Sequence, residues 1–451
     1  KPWSLEYRKY VLSLKPLSSP SPPDLRFRRV PTIMGPPAPP HGAPPSPTEA
    51  APSPWLGSWE KLPVIVCRGE TPAEVGWSHG EQLRDRIGAT LTFYFSLFEE
   101  VGLGSEEVRS WGEGFRAEIG AHAPALAEEI AGIAAGAGRQ DWELFALNAR
   151  SELLAFAQHR AGKQPPPECT ALFCASSACL GQNWDWDSRM DSLPVLLKLP
   201  RRGDTPRILT MTEPGILAKV GFNDQGVGVC LNFLAGPPPA AVPTGLPVHC
   251  LLRLALSCGT LRGSEELLKA SPRHCACHIL LADALGQFRM LEFFGTSLEC
   301  AAADPLAHNH GAGAEEAPIE GAEWQILPPT VVAHTNHYLH PGFAASSKDL
   351  AHTRERLQRV GEIVDEFEAA EEDRGAVGSE QQLGLAKRIL GDRHGYPRSI
   401  LFDKADGMSA QGTIATVCTV LMELRSLRMH VTHGSAMAQQ FFQVTLLESS
   451  L

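Results

Sequence analysis

Apolar side chains first fall into a sustained rhythm at Leu83, Ile87, Leu91, Phe95 and Phe98, three to four residues apart, the spacing of one helical face. Ahead of them, Thr71-Pro72-Ala73-Glu74 has the form of an N-cap, a proline at the first helical position and an acidic first turn. Together they predict a helix over 71–101. Residues 62–67, just before it, form a short apolar run of strand character. Further helices are predicted over 106–121, 125–135 and 141–157, the second ended by Gly136 and Gly138.

Beyond residue 168 the period changes. Residues 169–175, 178–183, 195–199, 208–212, 220–223 and 226–233 are short strand-like runs bounded by Gly, Pro and Asp. Residues 246–257 and 264–270 return to helix. Two strands follow, 278–285 and 287–294, around Ala284-Leu285-Gly286, and the Ala/Gly-rich stretch 301–322 reads as a loop. Helices at 347–371 and 379–390 and a hairpin of 413–423 with 428–432 close the chain. Long blocks of helices, strands, helices and strands predict an α+β layered domain rather than alternating βαβ units. There is no internal repeat.

Composition divides this chain of 451 residues in two. Residues 1–58 are rich in proline, with Pro20, Pro22, Pro23 and a dense series from Pro36 to Pro54. Such a stretch cannot bury enough apolar surface to order itself and reads as a disordered extension. The chain opens on Lys1 rather than Met, as a fragment or a processed product would. Residues 59–168 form a helical segment, and 169–451 a second segment that completes one domain with it. Lys163-Gln164-Pro165-Pro166-Pro167 between them is a stiff, extended connector.

The formal net charge of −11 argues against a nucleic-acid partner, which wants a basic face. No apolar run approaches the roughly 20 residues of a membrane span, so no membrane role is expected. The eleven cysteines show no disulfide framework, and most sit among apolar neighbours, as thiols in a reducing compartment would. Ser449-Ser450-Leu451 is similar to a peroxisomal address but lacks its basic middle residue. An intracellular location, cytoplasmic or peroxisomal, is the expectation.

Cys169 stands apart from the other cysteines because it follows the proline connector and opens a strand. A thiolate there can reach the carbonyl just before it, and an N-to-S acyl shift followed by hydrolysis would free its α-amino group. That amine, with a pKa of about 7.7 to 8.0, is a general base held beside its own thiol. Asp185 lies in the next strand-like run, flanked by Asn183 and Trp184, where one hairpin could bring it alongside. In His334-Thr335-Asn336-His337, the Asn336 amide could donate to an oxyanion. His334, His337 and His340 also share a three-residue spacing, but Pro328, Pro329 and Pro341 oppose the helix a metal site would need there. His274-Cys275-Ala276-Cys277-His278 is spaced too tightly for a zinc knuckle, so no metal is expected.

These segments, in this order, resemble the acyl-coenzyme A:isopenicillin N acyltransferase family, also called the C45 peptidase family of N-terminal-nucleophile (Ntn) hydrolases. The similarity runs through Pro124 to Ala134, Asn148-Ala149-Arg150-Ser151-Glu152-Leu153, Glu168-Cys169-Thr170, Gly181 to Trp186 and His334 to His337. It resumes at Gly395-Tyr396-Pro397-Arg398-Ser399-Ile400 and at residues 413–424. The resemblance implies a four-layer αββα Ntn-hydrolase sandwich, made as a precursor and cut between Glu168 and Cys169. Cys169, Asp185 and Asn336 would then be catalytic. Arg150, Glu152, Thr170, Asn183, Trp184, His337, Arg398 and Ser399 would support the site or bind substrate. The chain departs from the family at Glu168, where Gly or Asp is usual, and at Leu401-Phe402, where a Cys-Arg pair is expected. Arg398 or Arg354 would replace that arginine.

The expected function is a self-processing cysteine amidohydrolase or acyltransferase. Its substrate would be a small N-acyl amide, N-acyl amino acid or aminoacyl-amine conjugate. It needs no cofactor, an acyl-coenzyme A co-substrate is compatible with it, and its two fragments would remain paired. The competing readings are an uncut Cys-His hydrolase pairing Cys169 with His334, and a non-catalytic binding relative.

Overall fold

The computed structural model describes residues 62–162, 169–237, 240–303, 326–327, 331–343, 350–371, 378–395, 399–402, 414–434 and 440–447. The Pro-rich extension and the connector through Glu168 lie outside them. Strand β1 (Val64–Val66) is followed by six helices, α1 (Pro72–Gln82), α2 (Arg84–Glu100), α3 (Ser105–His122), α4 (Pro124–Ala137), α5 (Asp141–Asn148) and α6 (Arg150–Arg160). Six strands come next: β2 (Thr170–Cys174), β3 (Cys179–Asp187), β4 (Val195–Leu199), β5 (Ile208–Thr212), β6 (Val220–Asn223) and β7 (Val227–Phe233). Helices α7 (Val248–Leu256) and α8 (Leu261–Ala270) precede β8 (Cys275–Asp283), β9 (Phe288–Gly295), β10 (Ser297–Ala303), β11 (Ile326–Leu327) and β12 (Val331–His334). The chain closes with α9 (Ala351–Glu371), α10 (Ser379–Leu390), β13 (Ile414–Glu423), β14 (Arg428–Val431) and β15 (Phe442–Thr445).

The strands form two sheets. The first has 8 strands in the order β1-β4-β5-β6-β7-β8-β9-β10, and the second has 7 in the order β11-β12-β2-β3-β13-β14-β15. All pairings are antiparallel except β1 with β4. β2 and β3 of the second sheet lie against β7 of the first. Helices α7 and α8 cover the outer face of the first sheet, and α9 and α10 that of the second. This is the four-layer αββα sandwich that the family resemblance implied.

The strands are apolar almost throughout because both faces are covered. Along β4, Val195, Leu197 and Leu199 join the core shared with α1–α7, while Leu196 joins the core between the sheets. The period-2 alternation therefore separates two cores rather than core from solvent. The first core combines residues from both sides of the connector, such as Tyr94, Phe115 and Leu153 with Val195, Val229 and Ile279.

Two predicted helices are each two. The helix over 71–101 breaks at Leu83 (φ −116°, ψ 18°), and the one over 141–157 breaks at Ala149 (φ −107°, ψ 18°). The first break releases α2 from a seam that fixes α1 against α4. A Cβ on Gly76, Gly80, Gly132 or Gly136 would stand 2.0–2.2 Å from a carbonyl oxygen of the facing helix. At the second, the Asn148 amide donates to the Gly215 carbonyl (2.9 Å) and accepts from Leu217 N–H (3.0 Å), pinning the end of α5. The stretch read as a loop from 301 begins inside β10, and its remainder, 304–322, lies outside the described residues. Ten cysteines, Cys169 among them, are buried and unbridged, and no described helix is long and apolar enough to cross a membrane.

Gly80→Ala drives a methyl into backbone and should destabilise the protein by about 1–3 kcal/mol. Gly120 lies on α3 with nothing within 4 Å of its would-be Cβ, so Gly120→Ala should stabilise by up to about 1 kcal/mol. Urea unfolding of the two variants checks the opposite signs.

Candidate active site

Cys169 immediately precedes β2 and is buried. Thr170 pairs with Asn183 across the β2–β3 hairpin, so continuing the register sets Cys169 beside Trp184 and one step from Asp185. A cavity has Cys169, Trp184, Asp185, Arg150, Ser151 and Lys219 on its wall. The hairpin thus brings the predicted cysteine and aspartate to one cavity.

Asp185 is fully buried. Its Oδ1 accepts the Thr416 hydroxyl (2.6 Å) from the facing strand β13, and its Oδ2 has no hydrogen-bond partner among the described residues. Burial pushes its carboxyl up to about 6, against the Thr416 bond and the nearby Arg356 charge. It therefore titrates close to neutrality, as a group set to receive a cation would.

Three side chains surround the backbone of Cys169. Asn232 on β7 donates to the Cys169 carbonyl (3.2 Å) and to the His334 carbonyl (3.1 Å). Arg356 on α9 donates to the same Cys169 carbonyl (3.1 Å), to the Thr170 hydroxyl (3.1 Å) and to Asn336 Oδ1 (2.8 Å). Asn336 in turn gives an amide N–H to the Phe233 carbonyl (2.9 Å). Asn336 is thus tied to Cys169 through Arg356, with its amide plane fixed on both sides.

Glu213 is wholly buried between two cations that line the cavity, 2.8 Å from Arg150 and 3.1 Å from Lys219, and accepts the Tyr94 hydroxyl. Burial alone would raise its carboxyl, but Arg150 and Lys219 hold it well below the usual carboxylate range. Burial brings the Lys219 ammonium down to about 7 despite Glu213. Lys219 Nζ lies 3.3 Å from the centroid of the Trp184 ring.

The other predicted residues divide. Arg150, Trp184 and Thr170 belong to this cluster, whereas Glu152 lines an adjoining cavity. Asn183 faces the outer helices: its amide donates to the carbonyls of Leu390 (2.8 Å) and Ile400 (3.0 Å) and accepts from Thr419. Ser399 binds the Leu401 carbonyl, and His337 binds the hydroxyls of Thr335 and Thr353. These three brace the second sheet and do not line the cavity. Glu168 and Arg398 lie outside the described residues. Among the described residues no three of His, Cys, Asp and Glu are arranged to hold a metal.

Residues 174–437 match the model of the family described as acyl-coenzyme A:6-aminopenicillanic acid acyl-transferase. The match covers more than half of the chain. The chain belongs to this family. A relative from Emericella nidulans, the 40 kDa form of acyl-coenzyme A:6-aminopenicillanic-acid-acyltransferase, is 31% identical over 266 residues, 56% of this chain and 71% of its own length. Among solved structures, a mutant conjugated bile acid hydrolase from Clostridium perfringens overlaps at a TM-score of 0.38 with 13% identity, covering 62% of this chain and 92% of that one. Penicillin V acylase from Agrobacterium tumefaciens overlaps at 0.37 with 12% identity, covering 58% and 82%. No residue role is carried across from overlaps of that size.

In this acyl-transferase family member the sequence reading missed Asn232, Glu213, Lys219 and Arg356. A lysine between Ala218 and Val220, in an apolar strand run, was the available signal, because buried ammonium groups need partners. The arginine that reaches Cys169 is Arg356, a neighbour of the expected Arg354 on the same helix.

The Thr416 hydroxyl stabilises ionised Asp185, so Thr416→Val should raise the Asp185 titration by about one pH unit. A hydrogen bond to a charged group is worth about 1.5–3 kcal/mol, and one pKa unit about 1.4. Thr416→Ser should leave it in place. The carboxyl ¹³C shift of labelled protein, followed against pH, reads both.

Proposed function

We propose that the chain is a self-processing cysteine amidohydrolase or acyltransferase with Cys169 as nucleophile. The observation that carries this is the position of Cys169: at the start of a strand, on the wall of a cavity shared with Asp185, its carbonyl held by Asn232 and Arg356. In the precursor the Cys169 thiolate attacks the Glu168 carbonyl carbon. The C–N bond breaks, the nitrogen takes a proton as a free amine, and water hydrolyses the Glu168 thioester. The new α-amine then accepts the proton of its own thiol, and Asp185 offers a carboxylate to the resulting ammonium.

The thiolate next attacks the carbonyl of a bound amide. Asn336, whose amide keeps one N–H beyond its bond to the Phe233 carbonyl, is the side-chain donor we assign to the oxyanion. Collapse expels the amine with a proton and leaves an acyl-Cys169 thioester, which water or an acceptor amine resolves. No cofactor enters these steps. The Emericella relative's name specifies an acyl-coenzyme A, and a thioester donor fits the same acyl-Cys169 intermediate. Small N-acyl amides, N-acyl amino acids and aminoacyl amines are the substrate class we propose. The two fragments would remain paired, because residues from both sides of the connector share one core.

The Cys-His alternative is disfavoured by His334. Its Nε2 lies 2.8 Å from Glu292 and its Nδ1 2.7 Å from the Thr335 carbonyl, and its ring stacks on His278 at 3.7 Å. Neither nitrogen is turned to Cys169.

Intact-mass spectrometry of the purified protein should find two fragments, one ending at Glu168 and one beginning at Cys169. Cys169→Ala should give a single uncut chain with amide hydrolysis lowered by at least ~10³-fold. A single chain from the parent that still hydrolyses amides would favour the Cys-His reading, and an inert one the binding relative.

A further inference from the structure

Three polar side chains stand in one row across the inner face of the first sheet. The register pairs Asn232 on β7 with His278 on β8, and His278 with Glu292 on β9. A parallel row of Cys230, Leu280 and Met290 belongs to the apolar core between the sheets. Asn232, His278 and Glu292 are wholly buried beside that core. Polar groups persist in such a place when they are bonded, so the partners of each decide what the row does.

Asn232 reaches across to the second sheet. Its Nδ2 gives one N–H to the Cys169 carbonyl and the other to the His334 carbonyl. It is a clasp between Cys169 and the end of β12, two residues ahead of Asn336. The same amide turned over would set its oxygen against both carbonyls. A donor on Oδ1 prevents that turn, and His278 Nδ1 lies 2.9 Å from it. Because both N–H groups of Asn232 are engaged, Oδ1 accepts and His278 Nδ1 carries the proton. His278 Nε2 has no partner among the described residues. Burial and the neighbouring His334 push the His278 ring well below the ordinary histidine value, so it is neutral and protonated on Nδ1 alone.

The ring is itself held in place. It stacks on His334 with centroids 3.7 Å apart and planes 9° from parallel. Glu292 lies 2.8 Å from His334 Nε2 and accepts the N–H groups of Leu339 and His340. The stack is thereby anchored to both ends of the loop that carries Asn336.

We propose that His278 is a positioning residue: its Nδ1–H fixes which way the Asn232 amide faces, and thereby the spacing between Cys169 and the segment that carries Asn336. This rests on the reading of Cys169 as nucleophile. His278 is not on the wall of the Cys169 cavity and acts only through Asn232. With the amide free to turn, the Cys169 carbonyl loses a donor and the thiol is aimed less accurately. Misplacement of that kind lowers turnover rather than binding.

The test replaces the ring with amides that imitate one ring nitrogen each. The amide nitrogen of Asn stands near the place of Nδ1, and that of Gln near the place of Nε2. kcat and KM are measured on alkanoyl and aminoacyl p-nitroanilides, below the thermal midpoint of each variant. His278→Gln and His278→Phe should lower kcat about 10- to 100-fold, with KM within about threefold of the parent. His278→Asn should bring kcat back to within about threefold of the parent. In protein labelled with ¹⁵N-asparagine, the Asn232 side-chain N–H pair should keep its shifts in His278→Asn and lose them in the other two. If His278→Phe fails to fold, His278→Gln carries the comparison. Equal kcat in the parent and the variants overturns the role, as does an equal loss in all three variants. Rescue by His278→Gln as full as by His278→Asn, a loss confined to KM, or an Asn232 signal that never moves does the same. Cys169→Ala sets the baseline. If it matches the parent on these anilides, Cys169 fails as nucleophile, and the Asn232 signal alone decides whether His278 orients the amide.

Discussion

Two side chains from different layers, Asn232 of the first sheet and Arg356 of an outer helix, donate to one carbonyl, that of Cys169. A buried backbone carbonyl at the start of a strand needs donors. The double donation meets that need and fixes the cysteine to both halves of the sandwich at once. Arg356 passes the constraint on to Asn336, and Asn232 to the His334 carbonyl. The segments after β7 and β12 and helix α9 are thereby registered on one residue, so the geometry of the cavity follows from the position of that residue.

The second organising force is electrostatic. Glu213 has no solvent, and its charge is affordable only because Arg150 and Lys219 flank it and Tyr94 donates to it. Those partners come from α2, α6 and the bend just before β6, three segments far apart in sequence. Arg150 and Lys219, the two partners of Glu213 on the basic side, lie on the wall of the same cavity as the thiol and Asp185.

Much of this was legible in the sequence where one physical cause dominates. The bounds of β4, β5, β6 and α10 were read correctly, because strands buried on both faces give unbroken apolar runs and α10 keeps a clean helical period. The pairing of Cys169 with Asp185 was also readable, since a two-strand hairpin leaves little freedom. The breaks at Leu83 and Ala149 were not. Each is imposed by a tertiary contact, the glycine seam in one case and the Asn148 clamp on residues 215–217 in the other, and local periodicity carries no trace of either. Arg356 and Asn232 escaped notice for a related reason. Each sits in an ordinary helix or strand pattern, and only the assembled layers turn it toward Cys169. Asn183 misled in the opposite sense: its neighbours on β3 face the cavity side, but alternation points Asn183 outward to α10.

The core that Tyr94, Phe115 and Leu153 build with Val195, Val229 and Ile279 crosses the connector before Cys169. An uncut chain forms it as a unimolecular reaction, with the two halves held at the high effective concentration of a tether. Were that tether severed, the same contacts would hold the halves together, but any later global unfolding would release two molecules that must find each other by diffusion. Scission would therefore give the molecule a direction in time. It could assemble readily once, and its endurance afterwards would be governed by how slowly it opens rather than by how favourably it could form again.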